Sequence, residues 1–289
     1  MADDFFVFSV VLNFTILKGM KVFDWKELWD DFLENGVDPF FSDGAAMSIG
    51  CFDGPHKGHR ILFDQVILNA KKGNLLAGLV TFVRPLSLKF ARSYLGDIST
   101  LNQRLSFYEQ EGFDFVVLID FSDEFSKIEG TDFLTMLKDS CNLKFLAEGP
   151  DFHCGYRGLC KMEQIKLFAE SNDVLASFPQ LLLDNDERIS SSWVRDCISK
   201  AQFDQVLRML GRPFCLDLDG VPVRKSGNAY HFAKSCLTQV LPRDGVYNVF
   251  VNTSRRLRAR LEVGSEEILV EPAANESSPI RIVEFINKE

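Results

Sequence analysis

Ser48-Ile49-Gly50-Cys51-Phe52-Asp53-Gly54-Pro55-His56-Lys57-Gly58-His59-Arg60 follows the short apolar run Ala45 to Ile49 and leads into the helical spacing of Ile61, Leu62, Val66, Ile67 and Ala70. The order reads as strand, tight turn and helix N-terminus. Gly50, Gly54 and Gly58 let the backbone turn sharply and come close to a ligand. His56 and His59 are three residues apart at the helix start and share a side. Unpaired backbone N–H groups and the helix dipole favour an anion there, above all a phosphate. The chain has 4 histidines, and two of them fall here.

Outward from this turn, strands and helices alternate. Trp25, Leu28, Trp29 and Phe32 mark a helix with a core-facing stripe, ended by Asn35-Gly36. The helix after His59 stops at Gly73, and Leu75 to Phe82 is a second apolar run. Residues 101–111 read as helix, Phe115 to Ile119 as a buried strand, and Thr131 to Ser140 as a helix with a Thr N-cap. Phe145 to Ala147 is a short strand, Lys161 to Glu170 a helix, and Ala176 to Leu183 another strand. Ser190 or Ser191 caps a helix reaching about Ala201. This alternation predicts an α/β fold with a parallel sheet covered on both faces. Ligands of such sheets lie beyond the strands' C-terminal ends, where the opening turn sits.

After Gly211-Arg212-Pro213 the texture changes to short β-rich runs at Tyr247 to Val251, Leu257 to Val263, Ile268 to Val270 and Ile280 to Ile286. They predict a small all-β module of about 75 residues that needs the first domain to pack on.

Composition bounds the function. The 289 residues suit one large or two ordinary domains, and 46% hydrophobic with 25% charged residues is normal for a soluble globular chain. A formal charge of −9 argues against a duplex nucleic-acid binder but leaves room for a nucleotide enzyme. The 27 Phe residues read as core filling. Cys51, Cys141, Cys154, Cys160, Cys197, Cys215 and Cys236 are odd in number and lack the close pairs of a zinc site, so reduced thiols in the cytoplasm are expected. The apolar run 5–17 is too short to span a membrane, which takes about 20 residues. Asp3 and Asp4 stand where a signal peptide would be basic, so the run reads as an extra strand or, preferably, as sequence upstream of a start at Met20.

Three further stretches supply chemistry. Ile189-Ser190-Ser191-Ser192-Trp193-Val194-Arg195 puts hydroxyls and a guanidinium on the first turn of a helix, a second anion site. Paired with the His56–His59 turn it makes a polyphosphate clamp between two helix N-termini. The loop from Gly149 through Asp151, Phe152 and His153 to Gly158 follows a strand, as does Thr81-Phe82-Val83-Arg84-Pro85. Both would shape the ligand pocket.

Taken together these motifs resemble the prokaryotic FAD synthetases, bifunctional riboflavin kinase/FMN adenylyltransferases, over residues 45–214. The family pattern Gly-x-Phe-Asp-Gly-x-His-x-Gly-His is met at Gly50, Phe52, Asp53, Gly54, His56, Gly58 and His59. Its Gly-x-Asp-Phe loop is met at Gly149, Asp151 and Phe152; its Ile-Ser-Ser-x-x-x-Arg motif at Ile189, Ser190, Ser191 and Arg195; its domain joint from Leu210 to Phe214. The resemblance implies a Rossmann-like nucleotidyltransferase domain over 21–212 after an apolar extension (1–20), then a β-barrel-like domain over 213–289. It implies that FMN and MgATP give FAD and pyrophosphate. His56 and His59 would hold the α-phosphate, and Ser190, Ser191 and Arg195 the departing phosphates. Gly50, Phe52, Asp53, Gly54 and Gly58 would line the nucleotide side, and Asp151, Phe152, Thr81 and Phe82 the flavin side. Mg²⁺ would enter with ATP, with no protein metal ligands assigned, and no nucleic-acid or membrane partner is expected.

Three departures qualify this. The flavin-side segment lacks the family's Pro-His-Pro, reading Val83-Arg84-Pro85-Leu86; the Gly-x-Asp-Phe loop continues as a shortened His153-Cys154-Gly155 in place of Phe-Gly; and the kinase motif Gly-x-Pro-Thr-Ala-Asn is not found between Phe214 and Tyr247. A single activity, with a degenerate kinase remnant, is the resulting expectation. Two other readings share the histidines: a nucleotidyltransferase acting on a different phosphate ester, and a catalytically silent flavin- or nucleotide-binding paralogue.

Overall fold

A computed structural model describes residues 19–84, 94–180, 182–184, 187–275 and 277–286. The apolar run 5–17 and the Pro85-Leu86 departure lie outside them.

The first sheet has six strands in the order β1-β4-β3-β2-β5-β6, all parallel. They are β1 (Lys21–Asp24), β2 (Ala45–Ile49), β3 (Leu76–Phe82), β4 (Phe115–Ile119), β5 (Leu143–Ala147) and β6 (Leu175–Ser177). Every residue of β2 and β4 is buried, which is why they read as continuous apolar runs. Alternate side chains feed two cores. Met47, Ile49, Val80, Phe82 and Val117 face the core shared with α1 (Trp25–Asn35), α4 (Gly130–Cys141) and α5 (Met162–Ser171). Ala46, Leu79 and Val116 face the core shared with α2 (Lys57–Gly73) and α3 (Leu101–Glu111). Burying each large apolar side chain contributes roughly 1.5–3 kcal/mol, so the two-sided burial of the central strands is the sheet's main support.

The helix predicted from Thr131 begins at Gly130, and its cap is Glu129 rather than a threonine. The strand expected over Ala176 to Leu183 is two short pieces: β6 and β7 (Leu183–Asp184), which pairs with β8 (Glu187–Arg188) as a small hairpin. The helix after Ser190 is α6 (Ser191–Ser199), capped by the Ser190 hydroxyl, and α7 (Phe203–Leu210) follows it.

The C-terminal module is a seven-stranded antiparallel half-barrel sheet, ordered β10-β11-β14-β13-β12-β15-β9. Its strands are β9 (Cys215–Asp217), β10 (Arg224–Ser226), β11 (Ala229–Ala233), β12 (Gly245–Asn252), β13 (Arg256–Val263), β14 (Glu267–Pro272) and β15 (Ile282–Phe285). Its core takes in Val194 and Ile198 of α6 and Val206 and Met209 of α7, together with Phe232, Val249, Leu261 and Val283. The serine–arginine helix is therefore held by the β module while its N-terminus points back to the first sheet. None of the described helices is long and apolar enough to cross a membrane.

Candidate active site

The turn after β2 is tightly specified. Phe52 adopts a left-handed backbone, φ 43°, which a non-glycine residue enters only when its surroundings impose it. Its ring packs under Gly50, where a Cβ would lie 2.8 Å from it, and edge-on to Phe63 at 5.1 Å. Gly54 has φ 57°, and a Cβ there would come within 2.2 Å of Ile98 Cγ2, so only glycine fits. Arg104 of α3 is buried; it donates to the carbonyls of Cys51 (3.2 Å), Phe82 (2.9 Å) and Val83 (2.9 Å). It joins the turn to the end of β3. The Thr81 hydroxyl donates to the same Cys51 carbonyl, at 3.0 Å.

Asp53 and Arg195 form the second joint. The Asp53 carboxylate accepts the backbone N–H of Ile98 (3.0 Å) and Ser99 (3.0 Å) and lies 2.5 Å from Arg195 Nη2. Arg195 Nε donates to the Gly96 carbonyl at 2.9 Å, and the guanidinium lies over the Tyr94 ring. The Ser191 hydroxyl donates to the Asp53 carbonyl at 3.0 Å, which sets the two helix N-termini side by side.

His56 caps α2 and His59 lies one turn on; their rings stack at 3.6 Å. The His56 backbone N–H donates to His59 Nδ1 at 3.4 Å, which leaves the His59 proton on Nε2. Burial, reinforced by the charges of Arg188, Arg212 and Arg195, lowers His56 to about 3. Burial and then His56 hold His59 well below the usual imidazole range. Both rings are neutral N–H donors. His56 Nδ1 is buried without a hydrogen-bond partner among the described residues. Arg212 donates to the Pro55 carbonyl at 2.5 Å and stacks on Phe107 at 4.4 Å, placing a positive charge behind the turn.

In front of the histidines lies a cavity of about 910 Å³. Gly50, Phe52, His56, Gly58, His59, Phe82, Asp151, Phe152, Ser190 and Ser191 all line it. The four stretches named from the sequence thus meet at one edge of the sheet. Asp53, Gly54, Thr81 and Arg195 do not line it; they lie behind the wall as struts of the turn and its neighbours.

One end of the cavity is aromatic: Phe82, Phe121, Phe125 and Phe133 meet edge-to-face at 5.5–6.4 Å. The phenylalanine excess therefore also walls the site, beyond filling cores. The 149–158 loop closes this end. It is pinned by paired backbone bonds between Cys154 and Cys160 (3.0 and 3.2 Å) and by Tyr156 N–H to the Ile128 carbonyl (2.7 Å).

Sequence reasoning missed four polar residues. Arg104 has no local signal, since its partners are carbonyls far along the chain. Arg188 lines the cavity and forms a two-pronged ion pair with Asp151, spanning from the β7–β8 hairpin to the 149–158 loop. Its place beside Ile189 was the available clue. Arg212 sits inside the domain joint and was read only as part of it. Glu148 is 1% exposed, lines the cavity, and accepts the Ile49 N–H at 2.6 Å. A charged residue closing the apolar strand Phe145-Leu146-Ala147 was the signal for it.

The FAD synthetase family model matches residues 39–193, more than half of the chain, and takes in the cavity-lining residues of all four stretches, with Arg195 just beyond it. A bifunctional riboflavin kinase/FMN adenylyltransferase of Buchnera aphidicola (Schizaphis graminum strain) is 27% identical over 217 residues, covering 73% of this chain and 70% of the relative. The Escherichia coli K12 protein of the same name is 28% identical over 216 residues, covering 72% and 68%. A solved Streptococcus pneumoniae structure titled as a macrolide-efflux protein superposes with TM-score 0.75 at 22% identity, covering 92% of this chain and 97% of that one, a likeness of fold. The extent of the family match and the placing of its motifs around one cavity make this chain a member of the FAD synthetase family.

Proposed function

We propose that the protein is an FMN adenylyltransferase, joining FMN to the AMP moiety of MgATP to give FAD and pyrophosphate. The observation that carries this reading is the stacked, neutral His56–His59 pair at a helix N-terminus, between an aromatic chamber and a serine-lined second N-terminus. In this scheme a phosphate oxygen of FMN attacks the α-phosphorus of ATP in line. The new P–O bond forms as the bond to the bridging oxygen of pyrophosphate breaks. No protein nucleophile is needed, so catalysis is positioning and charge stabilisation.

The His59 Nε2–H and the helix N-terminus donate to the α-phosphate oxygens as negative charge builds on them. Neutral imidazoles suit this task, because they donate without first losing a proton to the substrate. Ser190 and Ser191, with Arg188 released from Asp151, hold the departing phosphates. Arg195 supports them from behind through Asp53. Magnesium belongs to the substrate and arrives on the nucleotide, which lets it keep several waters. The aromatic chamber, with Asp151 and Phe152 at its mouth, takes the flavin ring.

Residues 21–212 form the transferase domain in this reading, and 213–289 a kinase-like remnant without kinase activity, in a cytoplasmic enzyme. The test is chromatographic. Purified protein with MgATP converts FMN to FAD, while riboflavin yields no FMN. FMN formed from riboflavin overturns the remnant reading, and no FAD from FMN overturns the transferase reading.

A further inference from the structure

Among the described residues, Glu148 is the one buried carboxyl in the cavity wall that the mechanism leaves without a task. Along β5, Leu146 faces the same core as Ile49 and Phe82, and Ala147 faces the opposite one. By the alternation of a strand, Glu148 returns to the Phe82 side, the aromatic end of the cavity.

One oxygen, Oε1, accepts the Ile49 N–H. Among the described residues no cation and no second donor reaches the other oxygen, and the side chain borders the cavity. Burial raises the carboxyl well above the usual range, against a smaller lowering by the Ile49 N–H, and so favours the neutral acid. An ionised carboxylate buried without a cation is far more expensive than a protonated one. A neutral acid that accepts through one oxygen is left with an O–H donor for the chamber.

Other roles fit poorly. A phosphate nucleophile needs no base, and among the described residues no cluster of three His, Cys, Asp or Glu stands ready for a metal. Holding the Ile49 N–H requires only one oxygen, and an amide or a backbone carbonyl would do it. A flavin ring offers what the free oxygen lacks. One edge of the isoalloxazine carries carbonyl and ring-nitrogen acceptors; the other carries methyl groups.

We propose that Glu148 reads the flavin ring: its carboxyl O–H donates to an acceptor on the ring's pyrimidine-side edge and orients that edge toward the end of β5. This rests on the FMN reading above. The wall otherwise offers the ring mainly apolar and aromatic contact, which fixes a plane but not which edge enters. Glu148 supplies the choice.

The test measures FMN binding without ATP, by fluorescence titration, in wild type, Glu148→Gln and Glu148→Leu. Glutamine keeps both the acceptor for Ile49 and a donor for the chamber, so its affinity stays within about threefold, while leucine loses roughly tenfold, the scale of one unmade buried hydrogen bond. KM for FMN moves in the leucine variant, and the affinity for MgATP does not. Infrared difference spectra of the wild type and the glutamine variant provide a second readout that does not depend on the leucine variant folding. Adding FMN shifts a protonated-carboxyl C=O band, and that band is missing in Glu148→Gln. A folded leucine variant that binds FMN like wild type, a glutamine variant as weak as leucine, or no carboxyl band responding to FMN overturns the assignment. If the wild type makes FAD and one of these results is found, only the role of Glu148 fails. If the wild type binds no FMN, the functional reading fails and takes this inference with it.

Discussion

Arg195 Nη2 lies 2.5 Å from the Asp53 carboxylate, tying a helix packed in the β module to the turn after β2 across 142 positions of sequence. Side-chain exposures of 10% and 1% make this a buried pair, in which the second charge depends on the first. Removing one partner of such a pair costs about 3–5 kcal/mol because the other charge is left buried and uncompensated. Arg195→Ala is therefore expected to lose that much stability in urea unfolding, along with activity. Arg188→Ala, which breaks a half-exposed pair with Asp151, is expected to change stability by under about 1 kcal/mol while raising KM for MgATP. An Arg195→Ala protein as stable as wild type but unable to bind MgATP would show that the arginine acts on phosphate directly.

The histidine pair gives a kinetic prediction. His59→Ala is expected to slow turnover at least about a hundredfold, the usual reach of one positioned transition-state donor, with MgATP affinity nearly retained. Because burial already lowers His56 to about 3 and His59 in the same direction, neither ring titrates near neutrality in the free enzyme. The kcat/KM profile should thus lack an acid limb near pH 6.5 from these rings. Normal turnover in His59→Ala would remove that ring from the mechanism.

Acid stability combines two opposing linkages. The buried neutral histidines bind fewer protons folded than unfolded, so stability falls as pH drops below their unfolded value of 6.5. Asp97 behaves in the opposite sense. Burial, then the nearby Asp53 charge, raises it from 3.8 to about 6, so the folded state holds an extra proton between those values. Stability from this group is present at low pH and lost as pH rises through about 6. Asp97→Asn should accordingly lose stability more steeply than wild type on acidification from pH 6 to 4. Parallel pH–stability curves would mean that Asp97 ionises normally in the folded protein.

The fold was legible where burial is continuous. Phe115 to Ile119 and Ala45 to Ile49 are strands because both faces are buried, and their apolar runs say so. β10 was not legible: Arg224–Ser226 is exposed throughout and carries no alternation, and its place comes from pairing with β11. The turn from Gly50 to His59 could be read because its glycines and histidines act locally. Arg104, Glu148 and the Asp53–Arg195 pair could not, since each derives its role from partners 21 to 142 residues away. Asp53 and Arg195 were both found by motif and expected at the ligand; their burial and their pairing with each other could not be read from the sequence.

Adenylyl transfer from ATP to FMN is most directly tested by following label from two positions of the nucleotide. With FMN and MgATP, label in the α-phosphate is expected to appear in FAD, and label in the γ-phosphate in pyrophosphate, in equal amounts. Label from the γ-phosphate in a flavin product, or α-label remaining in free nucleotide while FMN is consumed, would contradict the account.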